Sequence, residues 1–238
     1  MSNFNLPFPY VVDHIPYNSK KRSKYKMNWE YITIHNTGNS KSTARNERDY
    51  LTNPSNKSST GYHIVIDEIQ AIECIPLTEN AWHAGDGGSG AGNRRSIGIE
   101  ICESGNYQKT LENAVLLVAE LLKSKNKNVE SLRQHWNWSG KNCPRLIRAG
   151  HLGWTWDKFK NEVQKELLKG KVIEEMSKYF KDLPKDHWGA KSADRLYEKK
   201  ILSGKGNGIL DPNSSITRIE CVALIDGAIE YLLKELKK

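Results

Sequence analysis

The stretch Tyr31-Ile32-Thr33-Ile34-His35-Asn36-Thr37-Gly38 alternates β-branched residues into a histidine and then meets turn residues at once. That pattern predicts a buried strand, from Trp29 to His35, with a ligand-type side chain at its end. A second stretch, Arg133-Gln134-His135-Trp136-Asn137-Trp138-Ser139-Gly140-Lys141-Asn142-Cys143-Pro144, sets an imidazole, an amine and a thiol on one short loop. His135 and Cys143 lie eight positions apart with the turn formers Ser139 and Gly140 between them, so both can reach one metal ion. Zinc takes nitrogen and sulfur ligands at roughly 2.0 to 2.3 Å in a tetrahedron. Two ligands do not complete a site, and His35 is the best third. Three protein ligands leave one position open, as in catalytic zinc sites. A His-x7-Cys spacing is weak by itself, because a buried free cysteine also serves as a small hydrophobe.

Working outward, Gly61 to Asp67 and Ala71 to Leu77 read as a strand pair, and Ser96 to Cys102 as a fourth strand. In that last strand Ile97, Ile99 and Ile101 share one face, and Gly98, Glu100 and Cys102 the other. A mid-strand carboxylate is costly if buried without a partner. Glu100 therefore either points to solvent or acts as a general base beside the metal. Tyr62 and His63 are adjacent on a strand and face opposite ways, so at most one of them faces the metal. Thr43 to Leu51 reads as a helix capped by Thr43 and ended by Asn53-Pro54. Thr110 to Lys123 and a helix following Thr155 carry apolar stripes for a core. The glycine-rich segment Ala81 to Gly90 lacks the strand-before, helix-after context of a phosphate loop. Residues 1–28 look irregular. Strands interleaved with helices predict an α/β fold over residues 1–168, a mixed central sheet flanked by helices.

The chain has 238 residues, enough for one or two domains. No apolar run approaches the ~20 residues needed to cross a membrane. The amino terminus shows no basic and then apolar signal pattern. The expectation is a protein made in the cytoplasm that reaches the outside by another, phage-type, route. Net charge is +8; residues 1–178 carry 25 basic against 19 acidic residues, and residues 179–238 carry 11 against 9. The excess is spread out except for Lys20-Lys21-Arg22-Ser23-Lys24-Tyr25-Lys26. Such a cluster suits an anionic polymer or is a solvated surface run; an anionic bacterial wall is expected rather than nucleic acid or a membrane. Cys74, Cys102, Cys143 and Cys221 form no disulfide pattern, and Cys74 and Cys102 sit in core-like runs.

Residues 169–178 form a charged connector. Residues 179–238 then read as a small all-α module of helix, loop and helix, in which Thr217 and Glu220 form a capping box. Its core is small for independent stability.

With these residues in place, residues 25–165 resemble the zinc N-acetylmuramoyl-L-alanine amidases related to phage endolysins and peptidoglycan recognition proteins. The resemblance rests on Ile34-His35-Asn36-Thr37, Gly61-Tyr62-His63, Trp82-His83-Ala84-Gly85-Asp86, Ile97-Gly98-Ile99-Glu100 and His135-x7-Cys143-Pro144. It implies one zinc per chain on His35, His135 and Cys143, and catalytic roles for Glu100, Lys141 and, in some members, Tyr62. Lys141, two residues before a ligand, would stabilise an oxyanion. His83 and Trp82 are expected in the substrate groove, His83 alternatively behind a ligand. Trp82, Trp136 and Trp138 either stack on substrate or pack in the core.

The module resembles a single S-layer homology domain, on Phe180-x-Asp182, Trp188, Gly204, Asp211-Pro212 and Ile216-Thr217-Arg218-Ile219-Glu220. That implies binding of secondary cell-wall polysaccharide, with Trp188 and Arg218 as contacts. Such domains often occur in threes, so self-association, to a trimer, is expected of a lone copy. The function implied is a peptidoglycan hydrolase that cuts the amide between N-acetylmuramic acid and L-alanine. The other readings are a binding or wall-anchored structural protein without catalysis, and a stem-peptide endopeptidase.

Overall fold

The structure, a computed structural model, describes residues 4–237, with side chains outside 170–175. The chain divides into two compact units, residues 1–167 and 168–238.

The first unit is built on a six-stranded mixed sheet in the order β1-β4-β3-β5-β2-β6. The strands are β1 (Tyr10–Val12), β2 (Tyr31–Asn36), β3 (Ile64–Ile66), β4 (Ala71–Glu73), β5 (Ser96–Ile101) and β6 (Leu132–Gln134). β3 and β4 form the expected antiparallel hairpin, and the other pairings are parallel. The expected strands are found with shifted or trimmed ends, β2 reaching Asn36, one residue past His35. β1 and β6 were not expected; at three residues each they are too short to show alternation. β1 is held by its partner, pairing along β4 from Tyr10–Ala71 to Val12–Glu73.

The helices of this unit are α1 (Ala44–Thr52), α2 (Ala91–Arg95), α3 (Tyr107–Ser124), α4 (Trp136–Ser139), α5 (Arg145–Arg148) and α6 (Trp156–Glu175). Thr43 caps α1 in a reciprocal capping box with Asn46, and Asn53 ends it. The Thr155 hydroxyl accepts the Lys158 N–H at the start of α6. α6 continues to Glu175, so part of the expected 169–178 connector is helical. Gly170 is the weakest helix former in that sequence, and one interior glycine costs about 1 kcal/mol, too little to end a helix.

The two sheet faces differ. Ile32, Ile34, Ile97, Ile99 and Ile101 are fully buried with α3 and with Phe159 and Val163 of α6. Each such side chain contributes about 1.5–3 kcal/mol on burial. On the other face Val65, Cys102 and Tyr62 pack with Ala44 and Leu51 of α1. That face also carries the polar run Thr33, His35, Gly98 and Glu100. The apolar face supplies the driving force that lets the other stay polar.

The basic cluster is partly turned inward. Lys21 is buried and donates to the carbonyls of Ser58 and Asn56, and Arg22 pairs with Glu79 at 2.6 Å. It is less an anionic-polymer footprint than a clasp on the loop before β3. No helix among the described residues is long and apolar enough to cross a membrane.

In the second unit, Phe180, Leu183, Ala190 and Ala193 form a small core around α7 (Ala190–Glu198), with Tyr179, Leu202 and Leu210 against it. Asp182 accepts the backbone N–H groups of Leu210 and Asp211, which fixes the loop between the helices. α8 (Arg218–Glu235) starts with the expected capping box of Thr217 and Glu220. Val222, Ile225, Ile229, Leu232 and Leu236 recur along it at spacings of three and four, and all are at least half exposed. Trp188 is 90% exposed and lines a groove of about 490 Å³ with His187, Leu202, Lys205, Asp211 and Glu220. Arg218 stands at the first position of α8, exposed, and is not among the groove's lining residues.

Candidate active site

β2, β5 and β6 run parallel, so their carboxyl ends lie together, where α/β sheets place ligands. His35 is the penultimate residue of β2, and the register sets it directly opposite Glu100 of β5. Parallel partners in register point to the same face, so the strand pair alone brings imidazole and carboxylate together. His35 Nδ1 lies 3.9 Å from Glu100 Oε1. β6 delivers His135 at its end. The one-turn α4 then closes at Gly140 in the left-handed region (φ +74°), which suits a glycine, and the chain returns to Cys143. Trp136 N–H donates to the Cys143 carbonyl at 3.0 Å and closes the loop.

His35, His135 and Cys143 therefore meet. The two Nδ1 atoms are 3.0 Å apart, Cys143 Sγ is 3.7 Å from His35 Nδ1, and one ligand atom from each lies within 4.8 Å of the others. Tetrahedral zinc with arms of about 2.0–2.1 Å to nitrogen and 2.3 Å to sulfur has edges of roughly 3.3 and 3.6 Å. The donor set and its spacing fit that ion. Burial, with the neighbouring imidazoles, pushes His35 well below the usual imidazole range. Burial, then the Lys141 charge, brings His135 down to about 4. Neutral imidazoles are the form that binds metal. Burial raises the Cys143 thiol to about 12 in the metal-free chain.

Asn36 clamps this arrangement. Its backbone N–H donates to Cys143 Sγ at 3.4 Å, its Oδ1 accepts the Leu146 N–H, and its Nδ2 donates to the Tyr107 hydroxyl. In the sequence its only signal is a polar residue next to His35 at the end of a buried strand.

Glu100 is half-buried, and its Oε2 has no hydrogen-bond partner among the described residues. Burial, then the charge of Glu47, raises its carboxyl to about 8. It points into the cleft rather than to open solvent. Lys141 lines the same cleft and pulls the Glu100 carboxyl back down. The cleft holds about 620 Å³ and is also lined by Ser59, Thr60, Trp82 and Gly87. Trp82 is half-buried on its wall, with the Arg94 guanidinium 5.5 Å from its ring.

Other expected residues stand elsewhere. The Tyr62 hydroxyl donates to the Glu47 carbonyl at 2.8 Å, and the ring belongs to the core against α1. His63 precedes β3 and holds the Glu79 carbonyl and the Gly98 N–H, so neither neighbour is a ligand. His83 is buried behind His35 with both ring nitrogens engaged, by His35 and by Ser96, and it also lines the inner wall of the cleft. Trp138 donates to Thr33 at 2.8 Å and packs edge-on to Tyr31, whereas Trp136 is 45% exposed beneath Arg148. The glycine-rich segment is followed by α2 after all. Asp86 accepts the N–H groups of Gly92 and Asn93 at its start, leaving them no anion to bind.

A two-histidine, one-thiol cluster beside a half-buried carboxylate, open to a cleft at the strand ends, marks a hydrolase-type domain with a candidate metal centre. The family described as N-acetylmuramoyl-L-alanine amidase matches residues 25–146, and the S-layer homology domain matches residues 179–220. Bacillus subtilis CwlA, an N-acetylmuramoyl-L-alanine amidase, is 37% identical over 228 residues, covering 90% of this chain and 78% of that protein. XlyB of the same organism is 44% identical over 149 residues, 60% of this chain and 45% of that one. The solved catalytic domain of XlyA superposes with a TM-score of 0.60 at 40% identity, over 65% of this chain and 99% of that one. The chain belongs to the N-acetylmuramoyl-L-alanine amidase family.

Proposed function

We propose that the protein hydrolyses peptidoglycan at the amide between N-acetylmuramic acid and L-alanine, with one zinc ion on His35, His135 and Cys143. The observation that carries this is the meeting of those three ligand atoms next to Glu100 in an open cleft. Zinc in such a site supplies Lewis-acid polarisation of a carbonyl and acidifies water toward a pKa of about 7. Glu100 accepts the proton of the attacking water and passes it to the departing L-alanine nitrogen. Lys141 faces the negative charge that grows on the amide oxygen. Trp82 lines the substrate channel. Tyr62 is already committed to Glu47, so the base role goes to Glu100. Cleavage consumes one water and leaves a lactyl carboxylate and a free L-alanine amine.

Residues 1–168 form the catalytic domain in this reading, and residues 179–238 hold the enzyme on secondary cell-wall polysaccharide through Trp188 and Arg218. The exposed three-four repeat on α8 has the spacing of a helix–helix seam, which supports self-association of the module. The catalytic test is mass analysis of fragments released from purified walls, with chelator and with zinc restored. The expected products carry new L-alanine amino termini and appear only with metal. Fragments cut within the stem peptide would make the enzyme an endopeptidase instead.

A further inference from the structure

His35 can serve a metal through Nδ1 only if its proton sits on Nε2, and the hydrogen bonds behind it decide that. His83 Nε2 lies 3.0 Å from the Ser96 carbonyl oxygen, which can only accept. The proton of His83 is therefore on Nε2. His83 is deeply buried, and among the described residues its ring nitrogens meet only the Ser96 carbonyl and the His35 ring, with no carboxylate to pair a charge, so the ring is neutral. Its Nδ1 is thus a bare acceptor. His35 Nε2 lies 3.0 Å from that Nδ1, so it must be the donor. The remaining nitrogen of His35, Nδ1, is then bare and faces Cys143 and His135.

The seat of His83 is built for this. A Cβ on Gly98 would come within 2.7 Å of its ring, so the β5 position below it has to be glycine. The Gly98 N–H is itself held by His63 Nδ1 at 2.9 Å. The Asn93 Oδ1 accepts the His83 backbone N–H at 2.8 Å. The ring is thus held from below by the strand, from behind by Ser96 and through its backbone by Asn93.

We propose that His83 is a positioning residue that fixes the tautomer of His35, using the Ser96 carbonyl as the fixed end of the relay. The proposal rests on the reading of the site as a zinc centre. If His83 offered no acceptor, His35 would be free to carry its proton on Nδ1, where an N–H would point at the ion. Partners behind a ligating histidine are typically worth 10–100-fold in metal affinity.

The first test needs no variant and no metal. In the metal-free full-length chain, long-range proton–nitrogen NMR on 15N-histidine should show His35 and His83 both as Nε2–H tautomers. A proton on Nδ1 of His35 overturns the proposal whatever the zinc result. The second test measures zinc affinity by competition with a chromophoric chelator. His83→Leu should weaken binding 10–100-fold. His83→Asn, whose Oδ1 keeps an acceptor near the place of Nδ1, should recover most of that loss. Equal affinity for the two variants and the wild type overturns the proposal. A wild-type chain that shows both tautomers yet binds no zinc would instead overturn the zinc reading of the site.

Discussion

The amidase unit and the C-terminal module handle their apolar residues in opposite ways. In the first unit five isoleucines of β2 and β5 are fully buried, and His35, Asn36 and Glu100 of the same strands line one cleft. In the module a handful of residues form the core, while most large apolar side chains of α8 stay outside. A site drawn from positions 35, 100, 135 and 143 needs a rigid sheet to hold it, because ligand atoms must meet within a fraction of an ångström. A module that grips a polymer or its own copy can leave its surface unfinished until the partner arrives. Damage to the first unit should therefore remove chemistry, and damage to the module should change only where that chemistry happens.

The largest effect belongs to Cys143→Ser. A serine is a poor replacement for a thiolate ligand, so zinc affinity should collapse and wall lysis should fall below detection. The sheet should survive, because Cys143 sits on the loop and not in a strand. Circular dichroism, bound zinc and turbidity of a wall suspension read the three parts. Normal lysis with one zinc per chain would break the ligand assignment. Next comes Glu100→Gln, which should keep the metal and lose turnover by roughly 10²-fold or more. Unchanged turnover would show that the carboxylate is not the base.

Much of this contrast was legible in the sequence, for identifiable reasons. The β-branched alternation into His35 and the isoleucine alternation around Glu100 fixed two strands and their faces. Adding His135-x7-Cys143 points to the three side chains that meet as candidate ligands. The parallel register that sets His35 opposite Glu100 is a pairing between distant segments, and no local pattern carries it. The same limit hid β1 and β6, which are too short to alternate and exist by pairing. A histidine in a glycine-rich segment looks exposed in sequence, whereas the room for the His83 ring depends on Gly98, fifteen residues on. Resemblance alone suggests a role for Tyr62, and the strand starting only at Ile64 leaves its hydroxyl to Glu47. The capping boxes of α1 and α8 were readable in part: Thr43 and Thr217 were expected, Asn46 was not.

Acid should separate the two units by a smaller but measurable shift in unfolding temperature. Burial brings His63 down to about 4, below the ordinary 6.5 of an imidazole. Between those values the unfolded chain binds a proton that the folded chain refuses. The stability His63 contributes is therefore present above 6.5 and is lost as pH falls toward 4. His35, His83 and His135 are shifted the same way. Glu100, raised to about 8, opposes them, one carboxyl against four imidazoles. In the module, burial pushes Asp182 up, but the N–H groups of Leu210 and Asp211 outweigh it and hold the carboxyl below its usual 3.8. That contribution is present above 3.8 and is lost only as pH falls further. Calorimetry of the full chain at pH 7 and pH 5 should show the amidase transition move down while the module transition stays. Equal shifts for both would remove the electrostatic part of the contrast.

The smallest effect concerns wall retention. Residues 1–167 should cleave soluble muropeptide like the full chain but sediment less with whole walls; the XlyA catalytic domain, which this unit resembles, was solved by itself. Within the full chain, Arg218→Ala isolates one contact. Arg218 follows the Thr217 cap, where backbone N–H groups and the helix dipole favour an anion. A guanidinium can hold a carboxylate bidentately, which an ammonium cannot. Because the side chain is exposed, its ion pair is worth up to about 1 kcal/mol, or at most about fivefold in binding. Wall sedimentation should therefore weaken by a few fold, with more loss at low salt than at high, and cleavage of soluble substrate should not change. Trp188→Ala should weaken it independently of salt, since a flat ring on a sugar carries no charge. If the first unit alone sediments as well as the full chain, the wall contact lies in the amidase unit, and the module's open α8 face has to be explained by self-association alone.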